Sequence, residues 1–390
     1  MIMATDNKDK ILNVPNLRFP EFTEEWKDSN IGKCFDLYSG NTPSRMEKEH
    51  FIGDVNWITS GELKEHYIGD TKERITEKAA AENNLRILPV GTFVMAIYGL
   101  EAEGVRGTCS ITVKTSTISQ ACMAFTPKSN VSNEFLYSWY KKHGNKIGIR
   151  YAQGTKQQNL SYDIIEKFPI RYPSIEEQEK LNTFISLLDE RIATQSKIIE
   201  DLKKLKVAIR DRELNSIRKH YGLNMQISEM LDYEQPSKYI VSETEYLNNK
   251  ELTPVLTANK AFILGYTDES FNIYDKGECI ILDDFTLDCK LVNFAFKVKS
   301  SAIKILTPKN DILLRYVYEY LNFLNLETTE HKRHYISEIE SMLIAYPDSN
   351  EIVFSFCDLM DRFDKKIEIE NKYLQSLLSQ KNYLLNNMFI

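Results

Sequence analysis

The chain has 390 residues, a hydrophobic fraction of 42% and a formal net charge of −7, which excludes a disordered or uniformly basic protein and indicates roughly two to three globular domains. It contains no run of about 20 apolar residues and its first ten residues are polar, so neither a membrane span nor a signal peptide is predicted and the expected location is the cytoplasm. Its six cysteines include no Cys-x-x-Cys pair, which argues against the common zinc and redox motifs.

The first part of the chain is predicted to be a leader followed by a mixed α/β domain. Residues 1–26 contain Pro15 and Pro20 and no apolar periodicity, and they are predicted to be an extended N-terminal leader. Short apolar runs bounded by turn residues then predict strands over 55–59, 92–97 and 121–125. A helix is predicted to follow over 133–143. The first mixed α/β domain is therefore assigned to 27–173.

A long helix is predicted next, because 176–221 contains neither proline nor glycine. Its apolar stripe consists of Ile192, Ile199, Leu202 and Ile209, at spacings of seven, three and seven, with Leu205 widening it. At about 1.5 Å per residue, about 40 residues form a rod on the order of 60 Å. Such a rod is too long for the edge of a compact domain, so the helix assigned to 174–222 needs a partner.

The partner helix is predicted in the last segment of the chain, after a second domain over 223–347. Residues 351–387 again lack proline and glycine, and the segment 348–390 carries a second apolar stripe that only Lys381 interrupts. The stripe consists of Ile367, Leu374, Leu377, Leu384 and Met388. We expect the two helices to pair antiparallel within the chain, as an intramolecular coiled coil. Pairing of each helix with another chain, in a homodimer, is the alternative.

An internal repeat supports this arrangement. Thr126-Pro127-Lys128 recurs as Thr307-Pro308-Lys309, 181 positions later (307 − 126). The same offset carries the aromatic residues Phe135, Tyr137 and Trp139 onto Tyr316, Tyr318 and Tyr320. Tyr172-Pro173 recurs as Tyr346-Pro347, 174 positions later (346 − 172). The predicted fold is therefore α+β, with two mixed α/β domains separated by two long antiparallel helices and related by a pseudo-twofold axis.

Signatures of catalysis are missing from the sequence. It contains no phosphate-binding loop, no dinucleotide-binding glycine motif, no Gly-x-Ser-x-Gly elbow and no His-Glu-x-x-His helix. His331 and His334 have a ligand-compatible spacing, but Lys332 and Arg333 between them would repel a divalent cation. Asp283-Asp284 is interpreted as a solvated turn, although such carboxylates also accept hydrogen bonds from cytosine N4. No metal site is therefore predicted.

Positive charge is concentrated in one segment. Residues 141–171 contain seven lysines or arginines and two acids, in a chain that is acidic as a whole. Local lysine and arginine drive phosphate binding. A solvated loop on an acidic protein explains the same pattern equally well, so charge alone does not decide between a nucleic-acid interface and an ordinary surface.

Three segments resemble the specificity subunits of type I restriction-modification systems. The first is Leu17-Arg18-Phe19-Pro20-Glu21-Phe22 with Trp26, and the second is Ser39-Gly40-Asn41-Thr42-Pro43-Ser44. The third runs from Gln153-Gly154-Thr155-Lys156-Gln157-Gln158-Asn159-Leu160 to Tyr172-Pro173-Ser174-Ile175-Glu176-Glu177-Gln178. The second half differs, because Thr328-Thr329-Glu330-His331-Lys332-Arg333-His334 replaces the Gly-Thr-Lys loop.

The resemblance implies a DNA-reading role. It implies that 27–173 and 223–347 are target-recognition domains, each reading half of a split DNA site, and that the helices act as a ruler. The implied partners are double-stranded DNA, two modification (methyltransferase) subunits and, in the full complex, restriction subunits, with no membrane. Those partners methylate adenine with S-adenosylmethionine, or translocate and cleave DNA with ATP and Mg²⁺. This chain is accordingly expected to be non-catalytic and to bind no cofactor itself.

Candidate DNA contacts follow from the division of labour at such interfaces, where basic side chains bind phosphates and a few others reach base edges. In the first domain they are Arg45, Lys64, Tyr98, Arg106, Arg150, Lys156 and Gln157. In the second domain they are Lys260, Tyr266, Lys332 and Arg333. Each has an ordinary solvated side chain as its alternative. At the level of the whole chain, the alternatives are a coiled-coil scaffold, a stand-alone DNA-binding regulator, and a stand-alone methyltransferase or nuclease.

Overall fold

The computed structural model describes residues 2–3, 13–102, 104–154, 158–257, 262–326 and 334–390, without the side chains of residues 2, 3 and 337. The chain forms two compact units. Unit 1 comprises Met1–Ser196 and Tyr373–Ile390, and unit 2 comprises Lys197–Lys372. Both divisions fall inside a long helix, so each unit contains part of each of the two helices.

Unit 1 contains twelve short strands and four helices among its described residues, before the first long helix. In chain order these are β1 Ile2–Met3, β2 Leu17–Arg18, β3 Lys27–Asn30, α1 Ile31–Cys34, β4 Phe35–Ser39, β5 Val55–Ile58, β6 Tyr67–Ile68, β7 Arg74–Ile75, α2 Glu77–Glu82, β8 Phe93–Ala96, β9 Cys109–Thr112, β10 Ser116–Ile118, β11 Cys122–Pro127, α3 Asn133–Tyr151, α4 Tyr162–Ile165 and β12 Pro169–Tyr172. The long helix α5, Ile175–Tyr221, follows.

The main sheet of unit 1 has the strand order β4-β11-β8-β9-β6, antiparallel except for the parallel pair β9 and β6. A smaller sheet, β10-β5-β7, joins a parallel and an antiparallel pair. Helix α3 buries Phe135 and Trp139 against the main sheet, where Phe93 and Phe125 form the other side of the core. The apolar runs predicted from sequence therefore form β5, β8 and β11.

Unit 2 contains nine strands and two short helices among its described residues, and the second long helix starts in it. The elements are β13 Met225–Gln226, α6 Ile227–Met230, β14 Leu231–Glu234, β15 Thr253–Leu256, β16 Ile263–Thr267, β17 Cys279–Asp283, β18 Cys289–Val292, β19 Lys297–Val298, β20 Ile303–Pro308, α7 Leu314–Leu324, β21 Leu343–Ile344 and the long helix α8, Asn350–Met388. A π-helical turn covers Tyr335–Ile339.

The sheets of unit 2 repeat those of unit 1. The four-stranded sheet β14-β20-β17-β18 is antiparallel throughout, as is β4-β11-β8-β9 in unit 1. The three-stranded sheet β16-β15-β19 again has one antiparallel and one parallel pair around its central strand. The internal repeat predicted from sequence is therefore a repeat of topology, and the predicted α+β fold class is confirmed.

The Thr-Pro-Lys element ends a strand in the same way in both units. In unit 1, Pro127 pairs with Phe35 at the start of β4, where its missing N–H removes the last ladder donor. The next residue, Lys128, donates its N–H to the Cys34 carbonyl at 2.9 Å and its ammonium group lies 3.0 Å from Asp36. The element thus fixes the turn between α1, β4 and the end of β11.

The same contacts recur in unit 2. Pro308 pairs with Leu231 at the start of β14. Lys309 donates its N–H to the Met230 carbonyl at 2.8 Å, and its ammonium group lies 3.3 Å from Asp232. The repeat is therefore preserved down to individual hydrogen bonds.

Helix α3 is longer than predicted. The expected end at residue 143 precedes Gly144, whereas the helix continues to Tyr151. A Cβ on Gly144 would lie 2.8 Å from the Tyr140 ring, and one on Gly148 would lie 2.5 Å from the Arg106 side chain. These glycines allow close packing on a helix whose other contacts hold it, so helix propensity alone gave the wrong boundary.

Helices α5 and α8 run antiparallel within each unit. In unit 1, Leu181 and Ile185 of α5 share a core with Leu384 and Met388 of α8. Farther along α5, Arg191 lies over the ring of Tyr373, so residue numbers rise along one helix as they fall along the other.

In unit 2 the direction is the same. Leu214 near the end of α5 shares a core with Val353 near the start of α8, and Lys206, earlier in α5, bonds Asp364, later in α8. Among the predicted stripe residues, Ile199, Leu377 and Leu384 are buried and Ile192, Leu202, Ile209, Ile367 and Leu374 are half-buried.

One predicted stripe residue does not lie in the seam. Leu205 is 49% exposed, so the expectation that it widens the stripe is wrong. Its neighbour Lys206 faces α8 instead, and the ammonium group of Lys206 lies 2.7 Å from the Asp364 carboxylate. At this point the side of α5 that faces α8 therefore includes Lys206 and not Leu205. Within the described part of the chain, no helix has the length and apolarity that crossing a membrane requires.

Candidate nucleic-acid interface

Four loops of unit 1 meet at one edge of its sheets. The end of β5 joins the turn before β11, because Ser119 N–H donates to the Ile58 carbonyl at 2.8 Å. That turn joins the end of β8 through a bond from Ile97 N–H to the Ala121 carbonyl at 2.9 Å. Ile97 in turn accepts from Leu160 N–H at 2.8 Å. We call the described residues of 40–47, 59–64, 97–107 and 152–160 the unit 1 loop surface.

The Ser-Gly-Asn-Thr-Pro-Ser element holds the first of these loops. A Cβ on Gly40 would lie 1.9 Å from the Ile118 carbonyl oxygen, so only glycine allows this approach of two backbones. Asn41 N–H donates to the same carbonyl at 3.2 Å, and the indole N–H of Trp57 donates to the Asn41 carbonyl at 3.1 Å. The element is therefore a structural anchor for the residues that follow it.

Arg45 follows this anchor and is held by neighbours in its own unit. Its guanidinium forms two hydrogen bonds with Glu73, at 2.5 and 2.8 Å, and lies 4.5 Å from the centre of the Phe51 ring. Donating these hydrogen bonds to Glu73 raises the pKa of Arg45, and the arginine side chain is 55% exposed. Its charge is compensated locally, which sequence reasoning could not detect because Glu73 is 28 positions away.

Arg106 and Gln158 join the two loops nearest to α3. Arg106 donates to the side-chain oxygen of Gln158 at 2.8 Å. Gln158 N–H donates to a carboxylate oxygen of Glu101 at 2.7 Å, and this bond holds the pKa of Glu101 below its usual value. The Gln158 carbonyl accepts from Leu100 N–H at 3.0 Å. The base of the Gly-Thr-Lys loop is thus fixed on both sides.

The other candidates of the first domain are distributed along the same surface. Tyr98 is half-buried and its backbone bridges Asn159. Lys64 is exposed in the turn after β5. Arg150 is exposed in the last turn of α3, 5.4 Å from the centre of the Tyr151 ring. Lys156 and Gln157 lie outside the described residues.

The basic segment 141–171 is partly structural. Lys142 donates to the carbonyls of Asn386 and Phe389 at the end of α8, at 3.0 and 2.5 Å, and burial lowers its pKa. Arg171 bonds Asp28 at 2.7 Å. Lys146, Arg150 and Lys167 remain exposed. Local charge density in the sequence therefore overestimated the number of free cations on this surface.

The Glu-Glu-Gln motif at the start of α5 is a structural anchor. Glu177 is 1% exposed and accepts two hydrogen bonds from Arg18, at 2.8 and 2.7 Å, and one from the Trp26 indole at 3.3 Å. Gln178 is equally buried and donates to the carbonyl of Asn130 at 2.7 Å. These contacts attach the leader and the segment before α3 to the first turn of α5.

Unit 2 builds the base of the corresponding loop from charged residues. His334 occupies the position of Leu160, 174 positions later (334 − 160), and its N–H donates to the Asp284 carbonyl at 3.0 Å, as Leu160 does to Ile97. The Asp284 carboxylate accepts from Tyr335 N–H at 2.8 Å and lies 3.5 Å from the ammonium group of Lys304. The loop differs in sequence but is anchored at the equivalent place.

The interpretation of Asp283-Asp284 as a solvated turn is therefore wrong. Asp283 belongs to β17, and the two residues are 6% and 1% exposed. The Asp283 carboxylate accepts from Phe285 N–H at 2.8 Å. Both residues are buried and each carboxylate accepts hydrogen bonds from the backbone, so neither is available to a DNA base.

The candidates of the second domain are mostly outside the described residues. Lys260, Lys332 and Arg333 lie there, as does His331. Tyr266 is half-buried in β16, and its N–H donates to the Leu247 carbonyl at 3.0 Å. His334 is 3% exposed, with a ring nitrogen 2.9 Å from Glu338. No group of histidine, cysteine, aspartate and glutamate side chains within the described ranges has a metal-binding arrangement.

A duplicated α+β chain with a loop of basic and polar residues in each unit has features that DNA-recognition proteins share. Comparison with known protein families points to one family. Residues 23–204 match the model of the type I restriction modification DNA specificity domain. Over these residues the chain carries the DNA specificity domain of type I restriction-modification systems, and along most of its length it is similar to the specificity subunits of such systems. The resemblance stated from the sequence motifs is confirmed.

Two curated relatives are similar to this chain in sequence, and one solved structure is similar to it in fold. The Escherichia coli EcoR124I/EcoR124II specificity subunit is 46% identical over 129 residues, 32% of each chain, and the Methanocaldococcus jannaschii MjaIX specificity subunit is 24% identical over 386 residues, 94% of this chain and 87% of that one. The crystal structure of a type I restriction-modification system S subunit from M. genitalium superimposes with a TM-score of 0.56 at 17% identity, covering 97% of this chain and 99% of the other.

Proposed function

We propose that the chain reads a bipartite DNA site, with one half-site bound by each unit and a fixed gap set by α5 and α8. The observation that supports this proposal is that the two loops are anchored at equivalent places. The Leu160 N–H donates to the Ile97 carbonyl in unit 1, and the His334 N–H donates to the Asp284 carbonyl in unit 2. Equivalent anchors support equivalent roles for two loops that share no sequence. A chain that used only one unit to bind DNA would have no need for the second anchor.

In unit 1 the basic side chains position the DNA and a few polar ones read it. Lys64 and Arg150 are exposed and neutralise phosphates, as Lys156 does in the Gly-Thr-Lys loop. Arg106 fixes Gln158 and so orients the loop that also carries Gln157, whose amide suits the adenine edge. Tyr98 contributes a hydroxyl at the same edge. Arg45, already paired with Glu73, contacts DNA only through its exposed face.

In unit 2 the same tasks fall to Lys260, Tyr266, Lys332 and Arg333. Two modification subunits bind the chain and methylate adenine in the recognised site with S-adenosylmethionine. Restriction subunits join the full complex and use ATP and Mg²⁺ to translocate and cleave DNA. The chain itself supplies recognition and no catalytic group, and it works in the cytoplasm beside the DNA and its partners.

Lengthening both helices tests this proposal. Four residues are inserted after Leu205 in α5 and four after Gln380 in α8, 175 positions later (380 − 205). One extra turn of about 6 Å in each helix lengthens the preferred gap by about two base pairs. The readout is a genome-wide map of methylated adenines in cells that express the chain with its modification subunits.

A matched control places the same four residues after Thr244, in an exposed segment of unit 2. This insertion leaves the gap unchanged. A gap that stays the same in the helix variant contradicts the ruler. A purified chain that methylates or cleaves DNA without partners revives the stand-alone enzyme, and a complex with no affinity for duplex DNA revives the scaffold.

Replacing Lys156 separates phosphate binding from base reading. Lys156→Ala is expected to weaken binding to every duplex sequence and to reduce the slope of log affinity against log salt by about one. Titrations at several salt concentrations, with specific and random duplexes, measure both effects. A change in sequence preference at constant salt slope would assign this side chain to a base edge.

A further inference from the structure

Each unit contains one ion pair between α5 and α8. In unit 1, Lys381 of α8 pairs with Asp189 of α5, and their side chains are 19% and 26% exposed. In unit 2, Lys206 of α5 lies 2.7 Å from Asp364 of α8, with side chains 17% and 42% exposed. The lysine that interrupts the apolar stripe in the sequence therefore has a partner on the other helix.

The two pairs occupy the same positions when each helix is counted from its own first residue. Helix α5 begins at 175 and α8 begins at 350. The aspartates stand 14 positions after these starts (189 − 175 and 364 − 350), and the lysines stand 31 positions after them (206 − 175 and 381 − 350). Helix α5 begins in unit 1, where its Asp189 pairs with Lys381 near the end of α8. Helix α8 begins in unit 2, where its Asp364 pairs with Lys206 in the second half of α5.

The apolar stripe repeats with the same offset of 175. It relates Ile192 to Ile367, Ile199 to Leu374, Leu202 to Leu377 and Ile209 to Leu384. Apolar side chains of similar size can pack in more than one axial alignment, because the contacts made in each alignment have similar packing energies. A polar pair in such a seam is different, since it is satisfied in only one alignment. The duplicated Asp and Lys are therefore among the residues of the seam that distinguish one register from the next.

Stability alone does not account for these pairs. Partly exposed ion pairs contribute little, and replacing a buried pair by apolar residues is often neutral. In unit 2 the pair extends into a network, because Lys206 also lies 3.1 Å from Glu319 of α7, which is 2% exposed and 2.8 Å from Arg315. This network ties the alignment of the two helices to the domain that anchors the basic loop.

We infer that Asp189–Lys381 and Lys206–Asp364 are a reciprocal register lock, in which each pair aligns the helices in its own unit and both pairs are needed to fix the axial alignment of α5 and α8. Resting on the proposed function, this lock holds the gap between half-sites to a single length. The pairs act as positioning residues, remote from DNA, because the choice among possible gaps is made by the helix alignment that they select.

Charge reversal tests the lock in the complete complex. The variants are Asp189→Lys, Lys381→Asp, the double reversal D189K/K381D, and the apolar replacement D189L/K381L. The control is E200K/K204E, which reverses a pair on the same helix whose side chains are 63% and 70% exposed. Methylated adenines are mapped for each variant in cells that express the modification subunits, and melting temperature is measured for each purified complex.

The single reversals are expected to reduce the share of methylated sites with the wild-type gap at least twofold, with sites of other gap lengths appearing. The double reversal restores the wild-type gap, and the control retains it. D189L/K381L keeps the wild-type melting temperature but broadens the gap, which shows loss of register without loss of folding. If D189L/K381L or a folded single reversal retains the wild-type gap alone, the lock is overturned.

Failure of the proposed function gives a different result. If the wild-type complex methylates an ungapped motif, the proposal that the chain reads a bipartite DNA site is overturned. The melting temperatures then still test whether Asp189 and Lys381 interact. In that readout the single reversals melt lower than wild type and the double reversal recovers. Equal melting temperatures for D189K and D189K/K381D would show that residues 189 and 381 do not interact, whatever the chain recognises.

Discussion

Units 1 and 2 share a topology but anchor their loops by different chemistry. Unit 1 uses a main-chain bond between Leu160 and Ile97, beside the half-buried Arg106 and Gln158 and the exposed Glu101. Unit 2 uses Asp284 and Lys304, both almost fully buried. The difference teaches that the repeat conserves where a loop is held, while the means of holding it have diverged. Variants that act on one unit alone therefore test the comparison most sharply.

The largest effect is expected from Asp284→Asn in unit 2. The substitution leaves the ammonium group of Lys304, 2% exposed, without its carboxylate, and removing one partner of a buried pair costs about 3 kcal/mol of unfolding free energy. Hydrogen exchange should show lost protection in β17 and β20 and unchanged protection in β8 and β11. The double variant D284N/K304M recovers most of the loss, and equal loss in both units would contradict independent anchoring.

A smaller effect, confined to unit 1, is expected from Arg18→Ala. Glu177 then loses two hydrogen bonds while remaining buried, which costs about 2 kcal/mol. The position equivalent to Glu177 in α8 is Ile352, 175 positions later (352 − 177), so unit 2 has no counterpart of this contact. Urea unfolding measures the loss. Lys180→Ala, which removes an exposed leader contact on the same helix, is the control and should change stability little.

Acid should weaken unit 2 through Glu234, whose equivalent in unit 1 is Tyr38. Although burial acts to raise its pKa, hydrogen bonds from Lys238, Lys276 and Tyr239 outweigh it and lower the pKa of Glu234 to about 2. A depressed carboxyl pKa gives stability that is present above the unfolded value near 4.5 and is lost as pH falls toward 2.

The measurement is the difference in unfolding free energy between wild type and Glu234→Gln across that pH range. The difference is expected to be on the order of 1–2 kcal/mol at neutral pH and to shrink between pH 4.5 and pH 2. A difference that stays constant through this window would show that the carboxylate charge of Glu234 does not contribute.

The smallest effects are expected at the Thr-Pro-Lys elements, whose geometry is similar in the two units. Lys128→Ala and Lys309→Ala each remove a largely exposed ion pair, and Lys309→Ala also removes a hydrogen bond to the Ser228 carbonyl, so each should cost about 1 kcal/mol or less. Thermal unfolding of the two variants under the same conditions compares them. Clearly unequal losses would show that the Thr-Pro-Lys elements are similar in geometry but not in energy.

Sequence reasoning succeeded where local chemistry dictates structure. The strands β5, β8 and β11, the long proline-free helices and the Thr-Pro-Lys repeat follow from periodicity and from the lack of a donor in Pro127 and Pro308. These features depend on a few neighbouring residues, so a single sequence reveals them.

It failed where a distant partner decides. Asp284 can be buried because Lys304 and the backbone N–H of His334 contact its carboxylate. No residue close to Asp284 in the sequence indicates either contact. Arg45 is paired because Glu73 faces it across a sheet edge. The extension of α3 depends on Arg106 packing against Gly148. The candidate DNA contacts remain predictions, since burial and pairing define which cations are exposed but not which of them bind DNA.

The methylated-adenine map of cells that express this chain with its modification subunits tests the central claim most directly. Two units with equivalent anchors predict one bipartite motif, with two defined half-sites and a single gap of unspecified bases. A continuous motif, or half-sites methylated at many different separations, would contradict the account.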